Sequence, residues 1–122
     1  MKLILLSSFI LLFFVAGAQS PVSALPPGKY ETFIKQNQDK WTQGDIILLD
    51  ASHYKVSSSN EVGEYKFSAT AQRIFFVSGP LKTVFAKTTL NANQPAIVIP
   101  AAENEQQGLK LASADVWGYL KN

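Results

Sequence analysis

Across 122 residues the sequence has no cysteine, a single histidine (His53) and no run of like charges. Without cysteine there is no disulfide framework, no thiolate zinc site, no thiol nucleophile and no lipid-modified N-terminal cysteine. One imidazole without thiolates falls short of the several nitrogen or sulfur ligands that a first-row metal site needs. Calcium would want an Asp-x-Asp-x-Asp-Gly loop, whereas Asp45, Asp50, Glu61 and Glu64 are spaced as turn and strand-face charges. Gly28, Gly44, Gly63, Gly79, Gly108 and Gly118 stand singly, unlike the glycines of a nucleotide loop. No metal and no cofactor is therefore expected. The lysines are scattered one at a time, with no patch to follow phosphates or anionic lipid, so a nucleic-acid partner is not expected either.

What is present divides into two unlike parts. Leu3 to Val15 is apolar apart from Ser7 and Ser8, follows the single charge of Lys2, and ends in Ala16-Gly17-Ala18. This is the layout of a secretory signal peptide, with a run shorter than the ~20 residues that cross a bilayer as a helix. Cleavage is expected after Ala18, with Val22-Ser23-Ala24 as a second candidate, and the mature chain is expected outside the cytoplasm, periplasmic or secreted. No membrane span is expected once the leader is removed. The remaining residues are about 41% hydrophobic, ordinary for one soluble domain. Within them, residues 19–27 carry Pro21, Pro26 and Pro27 among small residues and read as an extended tether without backbone pairing. Residues 28–122 read as one β domain.

From Gly28 onward, short runs of aromatic and β-branched residues alternate with Gly, Asn, Asp, Ser and Pro clusters every 8–12 residues, which is the pattern of antiparallel β structure. Ile46 to Leu49 and Tyr54 to Val56 flank the turn Asp50-Ala51-Ser52. Gly63 to Ser68 alternates strictly and places Tyr65 and Phe67 on one face. Arg73 to Val77 is apolar on both faces and is expected to be central in the sheet or covered on two sides. Thr83 to Leu90 and Ala96 to Ile99 form further strands around the turn Asn91 to Pro95, and Val116 to Leu120 reads as a closing strand with Trp117 and Tyr119 on a shared face.

The two ends leave choices open. Tyr30, Phe33, Ile34, Asn37 and Trp41 have helical spacing, but the absence of apolar residues from Lys35 to Lys40 favours a strand from Gly28 to Ile34 and then a polar loop. Ala101 to Gln107 reads as one helical turn after Pro100, and Leu109-Lys110-Leu111 alternates. Seven or eight short strands with hairpin-length connections imply an all-β, up-and-down barrel, closed or nearly closed, because closure removes unpaired edges. A two-sheet β-sandwich is the alternative.

The order of features from Gly44 to Leu81, with Gly63-Glu64-Tyr65-Lys66-Phe67 and Ile74-Phe75-Phe76-Val77-Ser78-Gly79-Pro80-Leu81, resembles the meander of lipocalin-like domains in small exported bacterial proteins. Gly28-Lys29-Tyr30 stands where such domains often open with Gly-x-Trp. The resemblance implies a β-barrel and a candidate ligand cavity. The chain departs from true lipocalins at Tyr30 and lacks their later motifs.

The chemistry of the side chains is sparse. Asp50, Ser52 and His53 hold the residue types of a nucleophile and its base, but on one tight turn they cannot converge as a triad, and no Gly-x-Ser-x-Gly elbow accompanies them. Glu61 with Glu64 and Glu103 with Glu105 are the nearest carboxylate pairs, and turn or surface charge explains them. No catalytic set is recognisable. The aromatic residues are the suggestive class, as barrel core, pocket lining or contact patch. Two functions follow. One is an exported accessory or interaction protein acting through its surface or barrel mouth on an extracytoplasmic protein. The other is a carrier holding a small apolar ligand among Tyr30, Tyr65, Phe67, Phe76 and Trp117.

Overall fold

In the computed structural model, which describes residues 22–106 and 114–121, the chain folds into β1 (Gly28–Ile34), β2 (Ile46–Leu48), β3 (His53–Val56), β4 (Gly63–Ser68), β5 (Arg73–Phe76), β6 (Phe85–Asn91), β7 (Gln94–Ile99), the helix α1 (Ala101–Gln106) and β8 (Val116–Leu120). Each strand pairs antiparallel with the next, and β8 returns to pair with β1 from Tyr30↔Leu120 to Ile34↔Val116. The result is a closed eight-stranded up-and-down barrel, so the barrel expectation holds over the sandwich. Residues 29–41 resolve as strand followed by loop. Residues 1–18, expected as a leader, residues 19–21 of the expected tether, and Leu109 to Leu111 lie outside the described residues. Among the described residues no helix is long and apolar enough to cross a membrane.

Closure depends on which side chains fit inside. Alternation sends Tyr30, Ile46, Leu48, Tyr54, Val56, Tyr65, Ile74, Phe76, Ile97, Ile99 and Val116 inward, all nearly or fully buried in one cluster. Strand order puts the turns 49–52, 69–72 and 92–93 at one end, with the segment that enters β1. Loops 35–45, 57–62 and 77–84 and the connection through α1 lie at the other. Trp41 and Leu81, both buried, close that second end. The stretch expected as a tether behaves differently. Val22–Pro27 forms no strand and lies outside the ladder, yet Val22 and Leu25 are core residues, so the packed unit begins before Gly28.

Three tyrosines occupy the interior, and each hydroxyl reaches backbone at the rim. Tyr30 donates to Pro26 O (2.8 Å), Tyr65 to Asp50 O (2.7 Å), and Tyr54 donates to Ser78 O (2.8 Å) while accepting the Leu81 N–H (2.8 Å). Gly63 and Gly79 make room for the Tyr54 ring, since a Cβ on Gly63 would fall 2.7 Å from Tyr54 Cε1 and 2.8 Å from Gly79 Cα. Asn104, fully buried on α1, closes a gap in the ladder. The register that pairs Lys87 with Val98 would set Phe85 opposite Pro100, which has no N–H. The Asn104 carboxamide takes its place, accepting from Phe85 N (2.8 Å) and donating to Phe85 O (2.9 Å) and Pro100 O (2.7 Å).

Two details differ from the sequence expectation. β5 is central, paired with β4 and β6, but it is not covered on both faces: Phe75 is 39% exposed on the outer wall, and the Arg73 guanidinium lies over its ring and that of Phe85, at 4.4 and 3.9 Å from the centroids. The turn expected over Asn91 to Pro95 contracts to Ala92-Asn93, with Asn91 paired to Gln94 and Leu90 to Pro95. Both turn residues have left-handed φ (52° and 67°), the signature of a type I′ hairpin turn.

Two predictions follow from these arrangements. Ala92 adopts a conformation that Asn tolerates better, so Ala92→Asn is expected to stabilise the fold by about 0.5–1 kcal/mol, read as a higher urea midpoint; an unchanged or lower midpoint contradicts the turn geometry. Burial pushes the Tyr30, Tyr54 and Tyr65 hydroxyls above their ordinary range, reinforced by Tyr65 at Tyr30, opposed by the Leu81 N–H at Tyr54, and reinforced by Asp50 at Tyr65. The folded state favours the protonated phenol. Its contribution is therefore complete below the unfolded value of about pH 10 and is lost as pH rises beyond it. In a titration at 295 nm, these phenols are expected to ionise only together with loss of far-UV circular dichroism. Titration of every tyrosine near pH 10 in an intact barrel would refute this.

Candidate functional site

The residues expected to line a carrier's cavity divide by position. Tyr30, Tyr65 and Phe76 are buried in the core, and Phe67 packs against it partly buried. Trp117 is not with them. Its neighbours Val116 and Gly118 face inward, which sends Trp117 to the outer wall. Gly118 packs closely there, since a Cβ at this position would be in van der Waals contact with Thr32 Cγ2 at 3.4 Å and Tyr30 Cβ at 3.5 Å, and a side chain longer than that would meet β1.

On the outer wall of β1 and β8 the partly exposed rings assemble. Phe33 is directly opposite Trp117 in the ladder. Trp117 and Tyr119 stack with centroids 6.0 Å apart at 26°, as their shared face implied, and Tyr119 lies 6.3 Å from Phe33. Two ammonium groups lie over this surface, Lys35 Nζ 4.5 Å from the Trp117 ring centroid and Lys40 Nζ 4.9 Å from that of Phe33. Such contacts are each worth about 0.5–1 kcal/mol at exposed sites. Register extends the surface sideways, since Arg73, Lys87, Val98, Trp117 and Phe33 form one cross-strand row. Along part of that row runs an open groove of about 390 Å³, lined among others by Gln72, Lys87, Val98, Asp115 and Trp117.

Asp45 holds Lys40 in place. Its buried side chain, 8% exposed, accepts from Lys40 Nζ (2.8 Å) and from the Thr32 backbone N–H (3.0 Å), with Lys29 Nζ 3.6 Å away. Ladder pairing between β1 and β2 ends at Tyr30↔Ile46, and the Asp45 side chain supplies the next acceptor for β1. Burial pushes this carboxyl up, but the hydrogen bonds from Lys40 and Thr32 and the charges of Lys40 and Lys29 outweigh it and hold it below the usual carboxylate range.

The acid-base candidates do not form a site. Asp50 Oδ1 and Oδ2 lie 2.9 and 3.0 Å from His53 Nδ1, and Ser52 Oγ lies 3.2 Å from the same nitrogen. In a triad the nucleophile and the orienting carboxylate sit on opposite ring nitrogens. The Ser52 N–H, then the His53 ring, hold the exposed Asp50 carboxyl below its usual range. Glu103 pairs with Lys87 at 3.6 Å, and Glu64 is opposite His53 across the outer face of β3 and β4. Among the described residues no three His, Cys, Asp or Glu side chains gather as a metal site.

No local pattern marks Asp45, Lys35 or Lys40 as parts of one surface, because their partners are brought together by the β1–β2 loop and the β8 closure. The class that this geometry defines is a small closed β-barrel with an aromatic and cationic outer face. No protein-family model, curated protein or solved structure matches the chain.

Asp45→Asn is expected to cost about 1.5–3 kcal/mol at pH 7, because a charged acceptor and its ion pair are lost while Thr32 and Lys40 stay. The sign in acid follows from the lowered value. The carboxylate's contribution is complete above the unfolded value of about 3.9 and disappears as pH falls through the folded one. Urea midpoints of the wild type should therefore drop more steeply below pH 4 than those of Asp45→Asn. Parallel acid limbs would show that Asp45 carries no such charge.

Proposed function

We propose that the protein is an exported interaction module that binds an extracytoplasmic protein through the outer face of β1 and β8. The observation that carries this reading is the contact among Phe33, Trp117 and Tyr119 on the solvent side of a barrel wall, with Lys35 and Lys40 over the rings. Aromatic side chains on an outer wall do not fill the core. They offer large apolar area at small entropic cost, the property that enriches them among binding hot spots. The leader-like N-terminus supports the export part of the reading. A carrier of a small apolar ligand is the lesser alternative, because Tyr30, Tyr65 and Phe76 are themselves buried among core neighbours and a carrier needs a cavity of roughly 300 Å³ or more. The resemblance to lipocalin-like meanders is on this proposal a likeness of architecture without the ligand site.

Affinity capture from the native extracytoplasmic fraction tests it. The wild type is expected to enrich a discrete protein, and the variant Trp117→Ser/Tyr119→Ser, checked for an intact barrel by circular dichroism, to lose that enrichment about tenfold or more. Phe67→Leu, changed on the inward face, is expected to retain it. Equal capture by the outer-face variant and the wild type would exclude this surface.

A further inference from the structure

The N-terminal segment is seated on the barrel in the manner of a bound peptide. At the end of the barrel where β1 begins, the Val22 N–H donates to Gln72 Oε1 (2.9 Å) and the Gln72 Nε2 donates to Val22 O (2.8 Å). One carboxamide thus takes both backbone polar groups of Val22, as a neighbouring strand would. Gln72 is itself fixed. Its Nε2 also donates to Ala69 O (2.7 Å), its carbonyl accepts from the Thr88 N–H (3.0 Å), and its φ of 52° holds the β4–β5 turn in shape. Three residues further on, Leu25 is 8% exposed beside the 2% of Val22, while Ser23 and Ala24 between them face solvent. The Pro26 carbonyl accepts from the buried Tyr30 hydroxyl (2.8 Å). Among the described residues every polar contact to the segment is made to its backbone, and its buried side chains are two apolar anchors three residues apart.

We infer that this barrel mouth is a peptide-binding site, occupied in cis by Val22–Pro27, whose ligand class is an extended peptide with two aliphatic anchors three residues apart followed by proline. The backbone contacts accept many sequences, and the two anchors and the proline select among them, the division of labour seen when extended peptides add to sheets. Attachment at Gly28 gives the cis segment an effective concentration in the millimolar range, so a competing peptide gains access only where the cis anchors are weakened. This site is at the mouth of the barrel, and it adjoins the outer groove at Gln72, which lines both.

The test uses the full chain. In wild-type protein the Val22 amide is expected to be protected from hydrogen exchange about 100-fold or more, but less than the amides of β7, because the segment opens without the barrel. No protection, or protection equal to that of β7, would overturn the inference. In Gln72→Ala, protection of Val22 is expected to fall at least tenfold with β7 unchanged; a parallel fall in both would overturn it. Val22→Asp/Leu25→Asp disables the cis anchors. A fluorescent peptide with the sequence of residues 20–28 is expected to bind this folded variant saturably and at least 100-fold more tightly than the wild type, and a peptide with Asp at both anchors is expected not to bind. Absence of binding to the folded variant at about 1 mM peptide would overturn it.

Discussion

Three phenol hydroxyls are carried into an apolar barrel, and each has to reach a hydrogen-bond partner at the rim. An unpaired hydroxyl there would cost roughly 1–3 kcal/mol, so the positions of the rim segments and of the rings are set together. Tyr54 ties the loop holding Ser78 and Leu81 to the core, Tyr65 ties the β2–β3 turn at Asp50, and Tyr30 ties the chain entering β1 at Pro26. Because rings of this size fill a small barrel, the facing positions must be small. Gly63 lies under Tyr54, Gly118 beside Tyr30, and fully buried Ala86 takes the inward position on β6.

This constraint also decides the outer wall. β8 reads Val-Trp-Gly-Tyr-Leu, and either face could turn inward by hydrophobicity. The tyrosines already inside leave room for Val116, Gly118 and Leu120, so Trp117 and Tyr119 are left outside to meet Phe33. The aromatic outer surface is thereby a consequence of how the core is filled. Asp45 then fixes Lys40 over the edge of that surface while supplying β1 with the acceptor that β2 no longer provides.

Local periodicity carried much of the fold. The strict alternation of β4, the glycine and proline punctuation, and the hairpin-length connections were enough for an antiparallel barrel, and β1 was legible from the polar stretch after Ile34. The face of Trp117 was not legible, because it depends on Tyr30 across the β1–β8 seam, nearly ninety positions away in the chain. Asp45, Gln72 and Asn104 were invisible for a related reason. Each is a polar side chain completing a backbone ladder where a strand stops, and its role appears only once the register is known. The proline at position 100 was the one local sign, since a proline opposite a strand leaves a carbonyl without a donor. The segment 22–27 looked like a tether because prolines prevent ladder pairing, but pairing through the Gln72 side chain needs no strand.

On the proposed function, the inside of the barrel is filled by its own side chains, and recognition falls to the outside and the mouth. Titration of the native full-length protein with a small environment-sensitive apolar fluorophore tests this most directly. No saturable binding to the native protein is expected. Stoichiometric binding at micromolar concentration to the native protein, abolished by filling substitutions around Phe67 and unaffected by changes at Trp117, would contradict it and restore the carrier.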